Sequence, residues 1–195
     1  MTALETRPLT AEQMTGRQLP CIIAVLGLGN LLRSDDGVGI HAIRRLEEDG
    51  RVPPGIEVIE GGTLGLDLLP RLQGITHLLV LDAVDTRSNA GTRSRFADAE
   101  LDHLPVGKSV HLLGFADLLG SLRLLEQAPA KVVLLGVQPE STEWGVALSP
   151  AVNASLDSLL EAALAQISDW VVQSGRFAGT TARSTSETPR STRTG

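Results

Sequence analysis

The order of residues predicts an α/β fold, a three-layer αβα sandwich around a mostly parallel, twisted central sheet. Three observations lead there. Short apolar runs of strand length alternate along the chain with stretches whose apolar residues recur at helical spacing. The first of these runs is continuously apolar and the third has an interior of unbroken hydrocarbon, as expected of strands covered on both faces. Only 3% of the residues are aromatic and none is Tyr, so burial rests on Leu, Val, Ile and Ala, which suits helices packed on a parallel sheet. Strand-helix alternation implies right-handed crossovers and helices on both sheet faces.

Each element follows from local chemistry. The run Cys21 to Gly27 reads as a central strand that ends in Gly27-Leu28-Gly29-Asn30. A helix is expected from about Asp36 to Glu48, N-capped by Ser34 or Asp35, with Val38, Ile40, Ile43 and Leu46 facing inward. Pro53, Pro54 and Gly55 interrupt it, and Ile56 to Glu60 forms a second strand stopped by Gly61 and Gly62. Leu64, Leu68, Leu69 and Leu72 place another apolar stripe at helical spacing before Gly74. His77 to Val84 is the third strand, hydrocarbon until Asp82.

An antiparallel edge strand is possible over Thr92 to Phe96. After a loop with His103 and Pro105 and the segment Ser109 to His111, a helix is expected from about Phe115 to Glu126. Lys131 to Val137 is the fourth buried strand, ended by Gln138 and Pro139. The last helix begins at Ser149-Pro150, an N-cap followed by Pro in the first turn, and continues to about Val172.

With 195 residues, 42% of them hydrophobic, the chain supports one core and falls short of two, so residues 20–174 are expected to be a single domain. The polar, aperiodic residues 1–19 and the Ser/Thr/Arg-rich 175–195 cannot bury enough surface to offset the entropy of ordering, and both are expected to be disordered tails. A formal net charge of -6 argues against nucleic acid as a partner. The lone cysteine, Cys21, excludes an internal disulfide framework and a cysteine-rich zinc site, and reads as a small buried apolar side chain. No apolar run reaches the ~18 residues of a membrane span and no secretory signal opens the chain, so a cytoplasmic protein without a membrane partner is expected.

In an open parallel sheet the ligand sits beyond the carboxyl ends of the strands. That directs attention to Gly27–Asp36, Glu60–Gly62, Asp82–Asp85 and Gln138–Glu140. The first of these opens like a dinucleotide fingerprint, but Leu32 stands where the third glycine belongs, and Asp35 and Asp36 would repel a pyrophosphate. Most Asp at helix starts simply cap the helix. Asp36 is more interesting because Asp82 is expected at the same rim: two carboxylates would then face one crevice, where a bare pair repels and a divalent cation keeps both ionised.

His111 is a third candidate, since imidazole beside carboxylates suits nickel, zinc and similar ions, although an isolated loop histidine is more often structural. His103 and Asp85 stand in reserve, and His41 and His77 read as helix-surface and strand-edge residues. No Gly-x-Ser-x-Gly elbow, His-Glu-x-x-His pair or Cys-His nucleophile arrangement is present. The residues alone leave two options open, a metal site or an acid pair in an α/β crevice.

Four separated segments, Leu26 to Gly39, Glu60 to Gly65, Leu79 to Ala83 and Leu135 to Glu140, with Ser109 to Gly114 between the last two, resemble the endopeptidases that mature the large subunit of nickel-iron hydrogenases. Each motif is weak alone; the ordered set, spanning about Ile22 to Trp170, is specific. The resemblance implies a monomeric aspartic-type endopeptidase that removes the C-terminal extension of the large-subunit precursor. It further implies a metal site of Asp36, Asp82 and His111, with Asp36 and Asp82 also catalytic, and substrate contacts at Gly29, Asn30, Gly61, Gly62 and Gln138. Relatives often carry Glu at the first position, where Asp36 is one methylene shorter.

Nickel would arrive on the precursor and act as a checkpoint, because a cation joining the three groups adds binding energy that an empty precursor lacks. Zinc or cadmium would suit the same ligands in vitro. The rivals are a nickel-binding chaperone or sensor without hydrolytic activity, and a small-molecule hydrolase on a related fold. Asp82→Asn and His111→Ala are expected to abolish processing with the fold intact, both residues being placed at the rim and outside the packed interior.

Overall fold

The computed structural model describes residues 21–103 and 110–175. The expected tails lie outside the described residues apart from Gly175. Five strands form one sheet: β1 (Ile23–Leu28), β2 (Glu57–Gly62), β3 (His77–Ala83), β4 (Arg93–Ala97) and β5 (Lys131–Val137), in the order β2-β1-β3-β5-β4. The pairs β1/β2, β1/β3 and β3/β5 are parallel, and β4 runs antiparallel to β5 at the edge. The helices are α1 (Val38–Asp49), the single turn α2 (Leu69–Leu72), α3 (Val110–Leu124) and α4 (Pro150–Gln173).

Strand alternation sorts the core onto two faces. Val25, Leu79, Leu81, Val133 and Leu135 pack with Val38, Ile43 and Leu46 of α1 and with Leu156, Leu159 and Ile167 of α4. Leu26, Leu78, Val80 and Leu134 pack on the other face with Leu68, Leu72 and the α3 residues Phe115, Leu118 and Leu122. The three layers are as expected, because the central strands are buried except at the first residues of β3 and β5, His77 and Lys131, and each face needs a helical cover.

Several helices start or end elsewhere than periodicity implies. Ser34–Gly37 is a 3-10 turn that precedes α1, and no side chain caps it. The Leu64–Leu72 stripe divides into a 3-10 turn, Gly65–Leu68, and the short α2. The helix expected from Phe115 begins at Val110, so His111 lies in the first turn of α3 and not in a preceding loop. The start of α4 matches expectation: Ser149 Oγ accepts from the Val152 amide at 3.3 Å and Pro150 occupies the first turn.

One approach fixes α1 on the sheet. A methyl group at Gly39 would lie 2.2 Å from the Leu81 carbonyl oxygen and 2.3 Å from that of Leu28, so the first turn of α1 rests on the backbone of β1 and β3 where both strands end. No helix of the described residues is long and apolar enough to cross a membrane.

Candidate active site at the carboxyl rim

The strand order reverses between β1 and β3: from β1 the chain moves to one neighbour, β2, then crosses to the other side for β3. Loops that leave adjacent strands toward opposite faces open a crevice at their carboxyl ends. The residues at that crevice are the Gly29–Gly37 loop and the end of β3, which carry Asp36 and Asp82.

Asp82 is fully buried, which corrects the expectation of a rim residue outside the packed interior. Its Oδ1 accepts from the Ala83 amide at 2.8 Å, and its register partner on β5 is Gly136, so no side chain flanks it from that strand. Leu78 and Val80 belong to the α3 face, and period-two alternation turns Asp82 toward the same layer. Asp36 is 7% exposed and ends its loop beside the first turn of α1, which itself abuts Leu81, the residue before Asp82.

The first loop is held tightly. Gly29, at φ 129°, donates to the Gly62 carbonyl at 3.1 Å, and a methyl group there would meet the Asp36 carbonyl oxygen at 2.0 Å, so only glycine suits. The Asn30 amide donates to that same Asp36 carbonyl at 3.2 Å, and Asn30 Oδ1 accepts from the Leu32 amide at 2.9 Å. Backbone bonds thus clamp both ends of the segment that presents Asp36.

Asp35, set aside as a helix cap on sequence grounds, is the organising group of the rim. Fully buried, it accepts from the amides of Glu140 (2.9 Å) and Ser141 (3.1 Å) through Oδ2 and from that of Ser149 (2.6 Å) through Oδ1. A buried carboxylate accepting from three backbone amides is a strong arrangement, and it fastens the β5–α4 loop to the Asp36 loop. The two loops also form a parallel bridge, Arg33 to Gly145, through Ser34 N to Gly145 O (2.8 Å) and Gly145 N to Leu32 O (3.0 Å). Sequence offers no sign of this, because all three donors are backbone groups more than a hundred positions away.

Gln138 differs from the expected substrate contact. It is buried; its Oε1 accepts from the Thr86 amide (2.8 Å), the Thr86 hydroxyl (3.2 Å) and the Ser88 amide (3.2 Å). Its Nε2 donates to Asp85 Oδ1 and to the Pro139 carbonyl, both at 3.2 Å. The amide braces the turn after β3, and Asp85, the reserve acid, belongs to that brace. Gly61 is buried against Leu26. Gly62, at φ 55° with open space beyond its Cα, lines a small crevice of about 70 Å³ with Leu28, Thr63, Gly65, Gly114 and Phe115. That crevice brings the amino-terminal end of α3, and with it the backbone of His111, to the rim where β1 and β2 end.

The side chains of His111 and His103 lie outside the described residues. Among the described residues no group of three or more His, Cys, Asp and Glu is placed to hold a metal ion. Asp36 and Asp82 are both buried near the carboxyl ends of β1 and β3, and the first turn of α3 holds the backbone of His111. The remaining histidines lie elsewhere: burial holds both His41 and His77 below the usual imidazole range, with Arg44 adding to the effect on His41 and Lys131 on His77.

Comparison with known proteins agrees with this geometry. The hydrogenase maturation protease family model (HycI) matches residues 40–166. The chain is 39% identical to the hydrogenase 2 maturation protease of Escherichia coli over 147 residues, 74% of this chain and 90% of that one. It is 33% identical to the hydrogenase expression/formation protein HupD of Rhodobacter capsulatus, covering 77% of this chain and 73% of the other. Its fold is similar to the hydrogenase maturating endopeptidase HybD from E. coli, with TM-score 0.71, 36% identity and coverage of 75% and 92%. It is also similar to the [NiFe] hydrogenase maturation protease HybD from Thermococcus kodakarensis, with TM-score 0.64, 27% identity and coverage of 74% and 98%. With this sheet order, this rim and these relatives, the chain belongs to the hydrogenase maturation protease family.

Proposed function

We propose that this protein is a cytoplasmic endopeptidase that removes the C-terminal extension of a nickel-loaded [NiFe]-hydrogenase large-subunit precursor. The observation that carries the reading is the pair of buried carboxylates, Asp36 and Asp82, at the carboxyl ends of β1 and β3 where the strand order reverses, in a chain of this family.

The proposed donor set, two carboxylates from separate elements and the imidazole of His111 on α3, suits a nickel ion carried by the substrate. Three protein ligands leave positions for groups of the precursor, and the ion would supply polarisation of a water or of the scissile carbonyl. The chain's own residues do the rest. Asp36 or Asp82 takes a proton from the attacking water, the water oxygen bonds to the carbonyl carbon, the C–N bond breaks and the proton passes to the leaving amine. The clamped loop fixes where Asp36 stands, which favours reaction by restricting geometry before substrate arrives. This use of paired acids is what an aspartic-type assignment means here, on a fold unlike that of the pepsin-type enzymes.

The test is processing of the cognate precursor with and without nickel. The expected outcome is a large subunit shortened at its C-terminus only from the nickel-loaded form. Asp36→Asn, Asp82→Asn and His111→Ala are expected to leave precursor full-length. Because Asp82 is buried, its variant is checked by circular dichroism and thermal melting; Asn retains an acceptor for the Ala83 amide, so the loss of stability is expected at about 1–3 kcal/mol. Full-length precursor persisting with wild-type protein in both nickel states overturns the reading and favours a nickel-binding chaperone.

A further inference from the structure

Five of the nine large hydrophobic side chains exposed among the described residues stand on rim loops: Leu32, Leu64, Leu66, Trp144 and Val146. Exposed apolar residues scattered singly need no explanation, but a cluster at one pole does. Leu32, Trp144 and Val146 stand on two adjoining loops, because the Arg33–Gly145 bridge sets the segment around Leu32 directly beside the segment around Trp144.

Trp144 is 75% exposed and Val146 73% exposed, yet neither sits on a loose loop. Arg33 donates from Nε to the Thr142 carbonyl at 3.0 Å and holds its guanidinium 5.6 Å from the centre of the Trp144 ring, and Ser34 Oγ donates to the Glu143 carbonyl at 3.1 Å. Asp35 grips the same loop from beneath at Glu140, Ser141 and Ser149. Tryptophan on a braced support, paired with arginine, is the composition of an energetic centre in a protein interface. Rigidity before contact lowers the ordering cost of binding.

We infer that Leu32, Trp144 and Val146 form a docking patch for an apolar segment of the precursor next to the bond that is cut. The inference rests on the endopeptidase reading and adds a specificity surface to it. The precursor is the occupant because the patch is continuous with the carboxylate rim: Leu32 belongs to the loop that presents Asp36, and Trp144 to the loop that Asp35 fastens to it. A second copy is a poorer fit, since each chain carries a formal net charge of -6 and copies repel on approach.

The experiment measures affinity and processing kinetics of nickel-loaded precursor with full-length wild type, Trp144→Ala, Leu32→Ser, Val146→Asp and Trp144→Phe. Val172→Ser, on the exposed far end of α4, is the control. Trp144→Ala and Val146→Asp are expected to weaken binding and raise KM about tenfold or more with kcat unchanged, with Trp144→Phe near wild type and the control unaffected. Exposure of these side chains means melting temperatures should hold. Unchanged affinity and KM in the patch variants, with wild-type processing intact, overturns the patch and leaves the endopeptidase reading standing. A dimer of the free chain that Trp144→Ala dissolves also overturns it. Wild type that binds precursor through the patch without cutting it overturns the endopeptidase reading instead, and wild type that does neither overturns both.

Discussion

Asp35 and Asp36 are neighbours in the chain, both buried, and Asp35 is turned into the protein to hold three amides. Replacing Asp35 by Ala leaves those three amides without their carboxylate acceptor, and a loss of about 1–3 kcal/mol is expected. Chemical denaturation measures that loss, and limited proteolysis should show the 138–149 loop opening first. His77 offers a second prediction at this scale. It sits with Nδ1 2.9 Å from Thr76 Oγ1 and 3.5 Å from Cys21 Sγ, its ring edge-on to Trp170 at 5.2 Å. Burial first, and Lys131 second, hold its pKa below the unfolded value of about 6.5. The unfolded chain therefore binds the proton more readily, so this contribution is complete above about pH 6.5 and is lost as the pH falls from there toward the folded pKa. Unfolding free energies measured from pH 8 to 5 should decline on the acid side, and His77→Gln should flatten the decline.

At the scale of elements, the position of the site depends on how closely α1 approaches the sheet. Gly39 permits contact of the first turn of α1 with the carbonyls of Leu28 and Leu81. Gly39→Ala would push α1 off the ends of β1 and β3, and a loss of about 1–3 kcal/mol or more is expected from overpacking against rigid backbone. If denaturation midpoints were unchanged, this account of how α1 is seated would fail. The processing defect should exceed the stability loss, because the same displacement moves Asp36 relative to Asp82. Helix boundaries were the least legible elements in the sequence. In the Ser34–Gly37 3-10 turn the amides of Ser34 and Asp35 donate to the Gly145 and Ser141 carbonyls of the 138–149 loop, a tertiary demand that no local propensity reports.

At the scale of the molecule, the candidate site residues stand at one pole. The opposite pole holds a larger cavity of about 640 Å³ lined by Arg51, Pro53, Leu164, Ser168, Val171 and Val172, with none of the candidate site residues. Val172→Ser should leave processing within error in the assay that separates wild type from Asp82→Asn; a defect there would move function away from the carboxyl rim. Burial of charge follows the same polarity. Asp35, Asp36 and Asp82 are the charged residues found buried among the described residues, and all three lie where the strands end.

The sequence by itself determined the layer architecture, the core strands, the antiparallel edge and the pair of strand-end acids, since period-two and helical spacing of apolar residues are local properties that burial then rewards. It also carried the family, through motifs whose order matters more than any one of them. Only the tertiary structure decided what surrounds each polar group: Gln138 is bound into the 85–88 turn, Asp35 anchors a distant loop, and Asp82 is interior. The physical reason is that a side chain's role is set by the partner it meets, and these partners are mostly backbone amides and carbonyls, which every residue possesses and no sequence distinguishes.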